Sequence, residues 1–149
     1  MAKSKGAAQL CIRAGREDVA QKLHACTMFH GDETLEELIA LLFSPRGVEF
    51  ITSFDFPTLS IFRQFKKYDT QKYGLYIDAG NITLEEEHRV LLVGNTHAIL
   101  KYSQTKRNLV CVLHGASAQV EASGFSVVHI EKDKHSKSNE TIKDHAIVI

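Results

Sequence analysis

The tightest group of metal-ligating side chains in this 149-residue chain is His24, Cys26 and His30. Zinc takes nitrogen and sulfur donors in a tetrahedral set, but residues two apart on a helix point in different directions and no fourth donor is close in sequence. The chain is therefore read as holding no metal and no cofactor, with Cys26 packed and His24 and His30 solvated. A second set, His97, His114, His129 and His145, is spaced 17, 15 and 16 residues apart. In a solenoid with coils of similar length these would stack into a ladder. Imidazoles at strand spacing repel once protonated, so such a ladder would loosen an assembly as pH falls through about 6.5. Isolated surface histidines are the competing and better-supported reading.

Nucleophilic catalysis would need Cys111 or Ser117 brought together with His114 and Asp78. Neither candidate sits in a nucleophile elbow or another signature that would place it beside its base. Glu85, Glu86 and Glu87 form a consecutive charge run typical of a solvated turn rather than a general acid and base pair. Gly94-Asn95 and Gly115 match neither a P-loop nor a dinucleotide fingerprint. The expectation is a protein that is not an enzyme. If it binds a small ligand such as a nucleotide or a sugar, Tyr73, Tyr76, Arg89 and His97 are the candidate residues, converging in a cleft between helices and sheet.

These residues must be positioned by two differently patterned parts, a helical lobe over 1–72 and a β region over 73–149. Apolar residues from Lys5 to His30 recur at three and four, which predicts two short helices broken near Gly15. Thr34 and Glu37 have capping-box spacing, and Leu35, Leu38, Ile39 and Leu42 form one apolar face before Pro45 and Gly47 stop the helix. Asp55 and Pro57 open another helix, with Leu59, Phe62, Phe65 and Tyr68 on one side and Arg63, Lys66 and Lys67 facing water. Beyond Lys72 the pattern changes to period two. Tyr73 to Ile77 and Ile82 to Leu84 read as strands around a turn at Asp78 to Asn81. Further strands are expected at Val90–Val93, His97–Tyr102 and Leu109–Leu113. Lys132 to Glu140 reads as a solvated loop before a closing strand from Ile142 to Ile149.

The clearest alternation runs from Gly115 to Ser123, with Ala116, Ala118, Val120 and Ala122 on one side. Inward residues this small suit a narrow β structure in which backbones approach closely. Small residues at 98, 118, 126 and 146 follow intervals of 20, 8 and 20, a superperiod of 28 that two solenoid coils with uneven corners would produce. The alternative is an antiparallel sheet or sandwich. The segments Tyr76-Ile77-Asp78-Ala79-Gly80, Leu92-Val93-Gly94-Asn95-Thr96-His97-Ala98, His114-Gly115-Ala116-Ser117-Ala118 and Ala122-Ser123-Gly124-Phe125 resemble uncharacterised small proteins of gut bacteria and their phages or mobile elements. In those proteins short helices precede a β-helical tail of xHAxV and GNAxV-like units. The resemblance covers about residues 45–149 and implies a fold and a genomic neighbourhood, with no catalytic residues to carry over.

Composition bounds the partners. Hydrophobic residues make up 44% and charged residues 24%, enough to bury a core. Eighteen basic and eighteen acidic side chains balance, nine of each sign before residue 71 and nine after, so no cluster marks a nucleic-acid surface. No apolar run has the length of a membrane span or signal segment, and Cys11, Cys26 and Cys111 form no CxxC pair. These features predict cytoplasmic folding, or a place in a virion if phage-encoded. The fold expected is α+β, a helical lobe followed by a short β-solenoid. The function expected is structural, a homo-oligomer for which small inward faces suit a trimer, or association with another protein of an assembly.

Overall fold

The computed structural model describes residues 34–54 and 56–149. The helices expected between Lys5 and His30, the His24, Cys26 and His30 group, and Asp55 lie outside the described residues. The chain divides into two compact units, Met1–Pro57 and Thr58–Ile149.

In the first unit, helix α1 spans Leu35–Leu42 and begins at the predicted capping box. The Thr34 hydroxyl accepts the Glu37 N–H at 3.2 Å and the Glu37 carboxylate accepts the Thr34 N–H at 3.3 Å. Two of the first-turn donors that lack helical partners are thereby satisfied. Pro45 and Gly47 do more than stop this helix: they lie inside a second one, α2, spanning Pro45–Ser53. Ser44 caps it by accepting the Gly47 N–H at 3.1 Å, and Pro45 takes the first helical position, where its missing N–H costs nothing. Gly47 is required for packing rather than for a turn, because a Cβ there would fall 2.0 Å from the Leu41 carbonyl oxygen. Ile39, Leu42, Phe43, Val48, Ile51 and Phe56 are buried.

The second unit starts with helix α3, Leu59–Gln64, which is shorter than the aromatic spacing predicted. Its start is set by Thr58, whose side chain accepts the Ile61 N–H at 3.3 Å, and it ends before Phe65 and Tyr68. A 3₁₀ turn at Gln71–Tyr73 leads into nine strands. These are β1 (Leu75–Ile77), β2 (Gly80–Glu85), β3 (Arg89–Val93), β4 (Thr96–Tyr102), β5 (Arg107–Leu113), β6 (Ser117–Ala122), β7 (Val127–Lys132), β8 (Lys137–Ile142) and β9 (Ile147–Val148). Odd strands form one sheet in the order β1-β3-β5-β7-β9 and even strands a second in the order β2-β4-β6-β8, every pairing parallel. The β region is a two-sheet β-solenoid of about four coils, and the antiparallel alternative is excluded.

Register fixes the coil length. Leu75 lies beside Leu91, sixteen residues on, while Leu91 pairs with Cys111 and Cys111 with Glu131, twenty residues on in each case. The 28-residue superperiod is therefore replaced by a coil of 20. The intervals from 98 to 118 and from 126 to 146 are each one coil, and the 8 between them only crosses from one column to another. The later coils of twenty divide again into halves of ten. Ala116, Ser126, Ser136 and Ala146 each donate their N–H to the carbonyl three residues back, closing four turns ten residues apart. All four side chains are buried, so the turn admits only a small residue at that position.

Two expected elements change. The polar stretch Lys132 to Glu140 holds the end of β7 and most of β8, and the closing strand is split by a turn into β8 and β9. Parallel pairing with β6 makes β8 a strand, although its solvent-facing side chains give no apolar alternation.

The core lies between the sheets. Val90, Leu92, Val110, Val112 and Val128 face Ala98, Leu100, Ala118, Val120 and Ala122 across it. The outward face of the first sheet is also buried at Leu75, Leu91, Cys111, Val93 and Leu113, whereas that of the second sheet carries exposed or half-buried residues. Near the β1–β2 corner, the Phe62 ring of α3 meets the His114 ring edge-on at 5.7 Å. Gly94 sits at φ +69°, and a Cβ there would come 2.5 Å from Asp78 Oδ1 and 2.8 Å from Leu59 Cδ1.

Asp78 ties this corner together. Arg63 Nε donates to Oδ2 at 2.7 Å and Nη2 to Oδ1 at 3.2 Å, Lys66 Nζ approaches Oδ2 at 3.3 Å, and the Asn95 N–H donates to Oδ1 at 2.8 Å. The Arg63 guanidinium, with the Asn95 N–H and Lys66, holds the carboxyl well below the usual carboxylate range. A group with a depressed folded pKa adds stability above its unfolded value, about 4, and loses it as pH falls toward the folded value. Asp78→Asn is expected to cost about 1 kcal/mol at neutral pH, a modest figure because Arg63 and Lys66 are half exposed. Urea midpoints of the two proteins should converge between pH 7 and pH 2; a gap that persists in acid would show that the carboxylate charge is not what holds the corner.

Candidate functional site

Alternation along the strands decides which candidate side chains can meet. Tyr76 points into the core, is 5% exposed, and donates its hydroxyl to the Glu87 carboxylate at 2.8 Å. Burial, then the Glu87 contact, pushes its phenol pKa upward, so it serves as a neutral donor. His97 lies outward on the second sheet, exposed, with Nδ1 2.6 Å from the Ser117 hydroxyl. Arg89 begins β3 on the outer side of the other sheet, and Tyr73 is half-buried in the 3₁₀ turn. Tyr76 thus points into the core from the first sheet while His97 points outward from the second, and the two cannot share a cleft.

The nucleophile set is dispersed in the same way. Cys111 is fully buried on the outer side of the first sheet, and burial, with a smaller effect from Glu131, pushes its thiol up to about 12. Such a thiol is not a thiolate at neutral pH. Ser117 lies on the second sheet, His114 at a corner with φ +57°, and the Asp78 carboxylate is engaged by Arg63 and Lys66. The imidazole that meets the Ser117 hydroxyl is His97, at 2.6 Å, rather than the expected His114.

The histidine ladder is also corrected. His97 pairs with Ser117 and His129 with Leu109, while His114 and His145 occupy different corners. The 15 to 17 residue spacing misses the coil length of 20, so no histidine stands over another. His129 instead contacts Glu131 at 2.6 Å, and His145 stacks on Phe125 with ring centroids 4.9 Å apart.

Among the described residues two surfaces stand out. One is a groove of about 450 Å³ along the corner where the second sheet ends, lined by Glu85, Lys101, Glu121, Ser123, Thr141 and Lys143. Glu85, Lys101, Glu121 and Thr141 stack in register there, so the first three charges alternate in sign.

The other is the terminal coil, β8 and β9, whose core columns end in two different ways. On one half the columns turn polar. Leu100 and Val120 are followed by Glu140, Leu92 and Val112 by Lys132, and Ala98 and Ala118 by Ser138. Lys132 Nζ reaches across to the Ser138 hydroxyl at 3.1 Å, closing that half of the core mouth. On the other half Ile142 follows Ala122 and Val148 follows Val128, so apolar columns reach the last of the described strands. Ile142, Ile147 and Ile149 are 48%, 54% and 65% exposed, and Phe125, at the neighbouring corner, is 62% exposed.

This surface was hidden in the sequence because 132–140 reads as a loop. The signal that could have exposed it is the ten-residue recurrence of Ala116, Ser126, Ser136 and Ala146. Comparison with family models, with curated proteins and with solved structures finds no match. Among the described residues no helix is long and apolar enough to cross a membrane.

Proposed function

We propose that this chain is a non-enzymatic structural or assembly protein that associates with copies of itself through its β region. The observation that carries the reading is the apolar half of the terminal coil, where Ile142, Ile147 and Ile149 stand exposed beside strand edges. A parallel edge presents a row of donors and acceptors for another strand, and soluble proteins ordinarily blunt or cover such edges. Here one half is blunted by Lys132, Ser138 and Glu140 and the other is not. The resemblance of residues 45–149 to β-helical proteins of gut bacteria and their phages or mobile elements supports a role among stalks, decorations or adaptors, by analogy of fold. The even scatter of charge gives no support to a nucleic-acid partner.

Light scattering across a dilution series tests this reading. The mass should exceed that of the 16.7 kDa chain at high concentration and fall toward it on dilution. A single-chain mass at every concentration would overturn it.

A second reading, capture of a small polar ligand, is favoured by the charged groove along Glu85, Lys101 and Glu121. Its mixed charge suits a sugar or zwitterion rather than a flat apolar ring. Chemical-shift changes confined to those residues on adding a sugar panel would support it.

A further inference from the structure

We infer that self-association runs through β9 alone, as an isologous antiparallel pair of β9 strands centred on Val148; this rests on the assembly reading above. In β9 the Ile147 N–H donates to Ser126 O at 3.0 Å, the Ile149 N–H to Val128 O at 2.9 Å, and Ile149 O accepts from the Ile130 N–H at 2.9 Å. Residues 147 and 149 therefore spend their backbone groups on β7. Alternation in a parallel ladder turns the N–H and C=O of Val148 to the opposite edge, which none of the described strands pairs. Two antiparallel strands meet through pairs of residues that exchange both bonds, and one residue with both groups outward is what a two-fold axis through Val148 requires.

The side chains agree with that axis. Centring on Val148 sets Ile147 opposite Ile149 of the second copy on the outer face and Val148 opposite Val148 on the inner face. Apolar residues meet apolar residues of the same orientation. The β8 edge is not self-complementary in this way. Centring on Glu140 sets two inward carboxylates face to face, and centring on Asn139 sets Glu140 against Ser138 with Lys137 opposite Thr141. Inward-pointing charge is a standard device against edge pairing. Among the described strands β9 is paired on one side only, so pairing through its other side joins two chains. The alanines that suit a trimer, Ala98 and Ala118, face the core of their own chain.

The test uses the full chain with Val148→Pro. Proline lacks the N–H that the pair needs, and it is tolerated on an edge strand where that N–H faces solvent. The variant should keep the wild-type circular dichroism spectrum while self-association weakens about a hundredfold. Should it misfold, cysteine pairing decides. In a Cys11→Ser, Cys26→Ser background, Val148→Cys should form a disulfide-linked dimer on mild oxidation, and Ser138→Cys should not. Opposed residues of such a pair lie about 5.5 Å apart between Cα atoms, within disulfide reach. A wild-type dimer that survives Val148→Pro with its fold intact, or that cross-links through position 138 instead of 148, overturns the β9 pairing and leaves the assembly reading standing. A wild-type chain that is monomeric throughout overturns both.

Discussion

Leu100→Ala should cost about 2–5 kcal/mol of stability, in the upper part of that range. Leu100 is fully buried in the column that runs from Leu84 through Leu100 to Val120. Removing its branched end leaves a void that neighbours must collapse to fill. Here they are poorly able to do so, because each strand is held between two parallel partners at about 4.8 Å spacing. Ile99, one residue away and outward at 40% exposure, is the internal control, and Ile99→Ala should stay within about 0.5 kcal/mol. Urea denaturation of both variants checks the pair of expectations. Equal small losses would mean that the column between the sheets is not a closed core.

The opposite change is expected to hurt at Ala118. This residue is 3% exposed, directly between Ala98 and Ser138 in the adjoining coils. A leucine there has no vacant neighbour to grow into, and overpacking a well-filled site costs roughly 1–3 kcal/mol. A thermal midpoint unchanged from wild type would place that face in solvent and contradict the inward assignment of the alanines.

Much of this architecture is visible in the residues themselves, where the signal is local. The Thr34 and Glu37 cap is a three-residue relation and appears as expected. Alternation from Gly115 to Ser123 gives the right faces, because period two is a property of any strand. What fails is whatever depends on the distance between strands. The histidine spacing of 15 to 17 is near the coil length without matching it. The sixteen-residue first coil, shortened between β2 and β3, further blurs the period. Pro45 reads as a terminator because proline breaks helices, yet with Ser44 before it the same residue starts one. Segment 132–140 is missed because β8 owes its conformation to β6, a neighbour twenty residues back, rather than to its own composition. The candidate site is the least legible part. Tyr73, Tyr76, Arg89 and His97 are alike in chemistry, and only the strand register separates Tyr76, inward, from His97, outward.

The sixteen- and twenty-residue register has a kinetic consequence. All-parallel sheets usually join residues far apart along the chain, and their formation is slow because long loops must close before any contact forms. In this solenoid no strand pairs with one more than a coil away, so each closure spans about the same short stretch of chain. The β region behaves as a one-dimensional stack in which nucleation at any coil is followed by winding of the next, each step facing a similar entropy loss. The middle coils, with neighbours on both sides, are expected to unwind last.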